Sequence, residues 1–94
     1  MSRELFFRRN MESIRTLPNI GAVLADKLEL IGIVSYDDLC SAGSIGALEK
    51  IHEKTGDGCL NMLFALEGAI RKICWHDIPK EERDRLKIRA QTML

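Results

Sequence analysis

The sequence predicts an all-α fold, a compact bundle of about five helices. Three observations carry this. Apolar residues recur at three- and four-residue spacing along most of the chain. Glycines and helix-capping residues interrupt that pattern at helix-length intervals. Beyond the pair Ile33-Val34, no segment alternates apolar with polar residues as a half-buried strand does.

The elements follow in order. Residues 1–15 read as an N-terminal arm or short helix, with Leu5, Phe6 and Phe7 as its apolar content and Arg3, Arg8 and Arg9 around them. Thr16-Leu17-Pro18-Asn19 is a turn, because the residue before a proline is held extended. Ile20, Val23, Leu24, Leu28 and Ile31 then form the inner stripe of a helix that Gly32 ends at C′. Ser35 is the expected N-cap of a short helix, with Asp37 and Asp38 at the positive end of its dipole. Tyr36, Leu39 and Cys40 point inward and Gly43 ends it. Ser44 caps the next helix, which carries Ile45, Leu48 and Ile51. After the turn Thr55-Gly56-Asp57-Gly58 comes the expected longest helix, from about Cys59 to Cys74. Trp75 to Ile78 connects to a last helix with Pro79 at its first position, capped by Asp77 or Ile78, and with Leu86, Ala90 and Met93 on one face. Asn19-Ile20-Gly21-Ala22 is echoed by Ser44-Ile45-Gly46-Ala47 and suggests a repeated helix–turn unit. The division is therefore an arm over 1–15 and one helical domain over 16–94.

Composition narrows the function. The chain is 46% apolar and 30% charged, as an ordinary globular domain is. No run of about 18 apolar residues exists, which argues against a membrane span, and no signal-peptide pattern opens the chain. Three cysteines without C-x-x-C spacing suit neither a disulfide framework nor a zinc ribbon. They are expected to be reduced and mostly buried, in a cytoplasmic protein. Net charge is zero, with residues 1–15 at +2, 16–79 at −4 and 80–94 at +2. An acidic body is unlike that of a dedicated non-specific DNA binder.

Four groups of residues could carry function. Asn19, Ile20 and Gly21, followed by Lys27, form a tight turn opening a helix, where backbone N–H groups can approach a phosphate. The alternative is a turn that only packs two helices. Glu67 sits in an apolar stripe, where a carboxylate must be hydrogen-bonded, and adjoins Gly68, a helix-interior glycine that suggests close approach of another backbone. The pair reads as a structural clamp that locks a neighbouring turn. Tyr36 and Trp75 either cap the core or contact a partner. Arg83, Arg85 and Lys87, interspersed with Glu81, Glu82 and Asp84, form a solvated face or a binding patch. Cys40, Cys59, Cys74, His52 and His76 show neither a zinc set nor a nucleophile with a histidine base. No catalytic residue, metal or cofactor is expected.

Leu17-Pro18-Asn19-Ile20-Gly21, Leu28-x-x-x-Gly32-Ile33 and the stretch from Cys59 to Ile70, with Trp75-His76 and Leu86 beyond, together resemble the C-terminal domain of the TfoX/Sxy competence regulators. The sharpest part is Ala65-Leu66-Glu67-Gly68-Ala69 with a tryptophan six residues on, and the resemblance spans Thr16 to Leu86. It implies a helix-hairpin-helix (SAM-like) domain and a regulatory role, linked in that family to DNA uptake. Full-length members carry an α+β domain before this one, so a stand-alone copy here would be a departure. The expected function is a non-enzymatic regulatory adaptor that contacts a protein partner or a second copy of itself. Weak, sequence-nonspecific DNA binding is the alternative. No small-molecule substrate or membrane partner is expected.

Overall fold

In the computed structural model, which describes residues 12–92, the sequence punctuation becomes four α-helices and two single-turn 3-10 helices. The α-helices are α1 Ala22–Leu30, α2 Tyr36–Thr55, α3 Leu60–Arg71 and α4 Lys80–Gln91, and the 3-10 turns are Ile14–Thr16 and Trp75–Asp77. No strand occurs among the described residues. Ser13 and Ser35 form an isolated antiparallel bridge, in which Tyr36 N–H donates to the Glu12 carbonyl at 2.7 Å and Ile14 N–H to that of Val34 at 3.2 Å. The extended residues 33–35 thus pair with residues 12–14, ahead of the turn that opens α1.

The caps follow local chemistry. Gly32 takes a left-handed φ of 85° after α1, and Ile33 N–H closes back on the Leu28 carbonyl at 2.9 Å, a Schellman ending. Ser35 and Asp38 form a capping box at the start of α2, each side chain bonding the other's backbone N–H. Gly43 breaks α2 in the middle (φ 76°, ψ 165°). The expected two helices are therefore one element with a kink, and the count is four rather than about five. Ser44 does not cap the second half; its hydroxyl is directed to α3.

α3 is shorter than the expected Cys59–Cys74 helix. Lys72 adopts φ 58°, Lys72 N–H bonds the Ala69 carbonyl and Ile73 N–H that of Gly68, so a Schellman motif without glycine ends the helix early. α4 begins one residue late, with Pro79 as the cap and extended at ψ 144°. The echo between Asn19–Ala22 and Ser44–Ala47 is not structural: Gly21 caps α1, whereas Gly46 lies inside α2.

The core lies where α2 packs on α3. Leu39, Leu48 and Ile51 meet Leu63 and Leu66, with Leu28 from α1 and Leu86 and Ala90 from α4. Ile14, Leu17 and Ile20 are also buried, so the turn leading into α1 is anchored. Val23 is a correction: it is 70% exposed. At 100° per residue it lies about 200° around α1 from Ala25, and Ala25 and Leu28 take the inner face. Leu5, Phe6, Phe7 and Met93 lie outside the described residues. Among those described, no helix is long and apolar enough to cross a membrane.

Candidate functional site

The turn over residues 17–21 before α1, where sequence reading expects a helix-hairpin-helix hairpin, is built around Asn19, which holds a left-handed φ of 70°. Both ends of its side-chain amide bond the chain just past α3. Nδ2 donates to the Ile73 carbonyl at 2.8 Å, and Oδ1 accepts the Trp75 N–H at 3.2 Å. Gly68 makes the room. A Cβ there would lie 2.5 Å from Asn19 Nδ2, 3.0 Å from the Ile73 oxygen and 3.2 Å from Trp75 Cα. The close backbone approach read from Gly68 is thus that of Ile73 and Trp75. Sequence reading placed Asn19 with a phosphate site and Gly68 with Glu67; the structure brings Asn19, Gly68 and Trp75 together.

Gly21 is different. Its φ of −88° and ψ of 179° are extended, it offers α1 no side-chain cap, and a Cβ on it would meet nothing within 4 Å. The first N–H groups of α1 border a shallow cleft of about 190 Å³ lined by Arg15, Ile20, Gly21, Ala22 and Ala25. Arg15 is held there by acidic partners. Its Nε donates to Glu29 at 2.9 Å and one terminal nitrogen to Asp26 at 2.6 Å. The hydrogen bond to Glu29, then that to Asp26, pushes the Arg15 pKa up, and the same bond pulls Glu29 down. Lys27 is in the last turn of α1, away from Gly21, and pairs with Asp57 at 2.5 Å. That bond lowers the Asp57 pKa. Asn19, Ile20 and Gly21 share one end of α1, and Lys27 is not with them.

Glu67 links three helices. Its Oε1 accepts from the Ser44 hydroxyl at 2.6 Å and its Oε2 from Arg71 Nε at 2.8 Å, and Arg71 in turn reaches Glu82 at 2.5 Å. The bond to Glu67 is the main reason the Arg71 pKa is raised. The partner expected from sequence was a turn's N–H groups. The kink at Gly43 instead presents the buried Ser44 hydroxyl.

Tyr36 is half-buried against the end of α3. Its hydroxyl donates to the Ile70 carbonyl, and Lys72 Nζ lies 4.4 Å over its ring. A hydrogen bond with Cys40, then burial, pushes the phenol pKa up. Trp75 is half-buried too. It stacks on Phe64 at 5.9 Å and on His76 at 3.9 Å, with the Arg83 guanidinium 5.9 Å from its ring centre.

All three cysteines are exposed, not buried. Cys59 is the cap before α3, Cys74 lies in the turn after it, and Cys40 is on the outer side of α2, so none enters the inner stripes. Sequence reading also missed a contact: Cys74 Sγ is 3.2 Å from His76 Nδ1. The i, i+2 spacing across Trp75 was its only signal. His52 instead meets the Asp57 carbonyl at 3.3 Å. Among the described residues no three His, Cys, Asp or Glu side chains are grouped to hold a metal ion.

Two surface features go beyond the sequence reading, although Arg83 and Lys87 in the second belong to its candidate basic patch. Val23 and Leu30, 70% and 60% exposed, align on the outside of α1. A cleft of about 210 Å³ lies between α3 and α4, floored by Leu60 and Phe64 and edged by Lys80, Arg83, Asp84 and Lys87.

These features define a small all-helical domain in which the sequence-marked polar residues mainly join one helix to another. The chain belongs to the TfoX C-terminal domain family, whose model matches residues 10–90. It is similar to an uncharacterized protein from Listeria monocytogenes solved in a triclinic form, at 36% identity and a TM-score of 0.81, over 85% of this chain and 91% of that one. A tetragonal form of a Listeria monocytogenes protein of unknown function matches at 36% identity and a TM-score of 0.80, over 85% of this chain and 99% of that one. No curated protein matches the chain.

Proposed function

We propose that this regulatory domain acts by contacting another protein and catalyses no reaction. One observation carries the reading: Arg15 beside the hairpin and Lys27 at the other end of α1 are already paired with carboxylates, while α1 turns Val23 and Leu30 outward. DNA binding without sequence preference draws its affinity from neutralising several phosphates, and paired cations supply little of it. Aligned apolar side chains on an outer helix face suit a protein contact.

A second reading is a weak DNA module of helix-hairpin-helix type. One observation favours it. Gly21 has neither a left-handed φ nor a crowding neighbour that would require glycine, so its bare backbone leaves the start of α1 open to a phosphate.

Two measurements separate the readings. Labelled duplex and single-stranded DNA are titrated at low and moderate salt, and benzoylphenylalanine is placed at Val23, Leu30 and, as a control on exposed α2 surface, Glu49. The protein-contact reading expects no salt-sensitive DNA binding and discrete protein crosslinks from positions 23 and 30 but not 49. Micromolar, salt-steep DNA binding that Gly21→Val abolishes would establish the second reading instead.

A further inference from the structure

We infer that the cleft between α3 and α4 receives an acidic–apolar peptide segment of a partner protein, one that pairs a carboxylate with a neighbouring leucine or phenylalanine. The inference rests on the protein-contact reading and gives it a second, chemically defined surface.

The floor is apolar. Leu60 and Phe64 lie one helical turn apart at the start of α3, and Phe64 continues into the stacked ring of Trp75. The wall is cationic. Arg83 and Lys87 are four residues apart on α4 and so project from one face. Lys80 is held by Asp84 at 3.1 Å, but among the described residues neither Arg83 nor Lys87 has a carboxylate partner. Arg83 Nε is buried and has no acceptor, and its guanidinium lies over the Trp75 ring, 5.9 Å from the ring centre. Two cations on neighbouring helices are matched, Lys27 with Asp57 and Arg71 with Glu67 and Glu82, whereas the exposed Lys50, Lys54, Arg85 and Arg89, like Lys87, are not among the described residues so matched. An unpaired guanidinium beside an ammonium, above apolar side chains, is complementary to a carboxylate next to an apolar side chain.

A peptide fits better than a nucleic acid. A cleft of about 210 Å³ is small beside ordinary ligand pockets, which begin near 300 Å³, and suits a side chain rather than a stacked nucleotide. Two unpaired cations neutralise too few phosphates for firm binding of a polyanion.

Trp75, the chain's single tryptophan, touches both the floor and Arg83, so its emission reports occupancy. The probe is a fluorescein-labelled peptide alternating glutamate pairs with leucine and phenylalanine. Its control has glutamine for every glutamate, and labelled oligothymidine is titrated in parallel. We expect saturable binding with a change in Trp75 emission. Lys87→Glu, on an exposed position, should weaken binding at least about tenfold with an unchanged melting curve, and the glutamine peptide should weaken it similarly. Arg83→Gln should do the same. Absence of peptide binding, equal binding of the glutamine control, or indifference to Lys87→Glu would overturn the inference. So would a concentration-dependent dimer that Lys87→Glu dissolves, since the occupant would then be a second copy. These failures leave the protein-contact reading standing unless oligothymidine or duplex DNA binds steeply with salt and loses that binding in Gly21→Val.

Discussion

The two ends of α3 are held in opposite ways. At the C-terminal end almost every polar group has a partner. Asn19 bonds Ile73 and Trp75, Tyr36 bonds the Ile70 carbonyl, Lys72 closes a Schellman turn, and Glu67 joins Ser44 to Arg71. At the N-terminal end Cys59 offers no side-chain cap, Leu60 and Phe64 stay partly exposed, and Arg83 and Lys87 stand over them without carboxylates. Buried polar groups are costly unless paired, so the saturated end fixes the fold. The open end leaves Arg83 and Lys87 without carboxylate partners among the described residues, as the proposed peptide contact requires. Substitutions at the two ends should therefore differ in kind.

The largest expected effect is at Gly68. Gly68→Ala puts a methyl within 2.5 Å of Asn19 Nδ2 and near two backbone atoms. Displacing that amide breaks its bonds, and the cost should be roughly 2–3 kcal/mol even after the helix-propensity gain of about 1 kcal/mol. Urea unfolding measures it; a neutral variant would break the comparison. Asn19 comes next. Asn19→Ala should lose about 2 kcal/mol, because it unpairs the Ile73 carbonyl and the Trp75 N–H and strains a left-handed residue. Asn19→Gly, which suits φ 70°, should lose about 1 kcal/mol less by the same measurement. At the open end, Lys87→Glu should change stability by no more than about 0.5 kcal/mol.

The Lys27–Asp57 pair gives a pH signature. The hydrogen bond from Lys27 holds Asp57 below its ordinary value of 3.8. The unfolded chain therefore takes up this proton first, so the pair's contribution is complete above that value and is lost as pH falls through the lower folded one. Asp57→Asn should make the melting temperature fall less steeply below about pH 4. The smallest effect is expected at Gly21: Gly21→Ser should add a few tenths of a kcal/mol by capping α1, since nothing crowds its Cβ.

What could be read from sequence was the local chemistry. Ser35 with Asp38, Gly32, Gly43 and the Thr55–Gly58 turn are set by neighbours in the chain, and each stands where its residue type puts it. Gly68 also announced a close backbone, because a helix-interior glycine has few other reasons. Asn19 did not announce its partners, since Ile73 and Trp75 lie 54 and 56 residues away. Lys72 hid the end of α3 because lysine is an unusual C′ residue, and its left-handed turn is supported by the Glu12 pair and the Tyr36 ring. The exposed cysteines were misplaced by a type preference for burial that a cap position at Cys59, a turn position at Cys74 and the outer side of α2 at Cys40 override. The α3–α4 cleft needs two helices in register, which spacing within either one does not contain.

The most direct test is an amide NMR titration of the full chain with duplex DNA at low salt. The account predicts that the N–H resonances of Gly21, Ala22 and Val23 stay fixed through micromolar DNA. Salt-dependent shifts at those three amides, absent in Gly21→Val, would contradict it and make the hairpin the working surface.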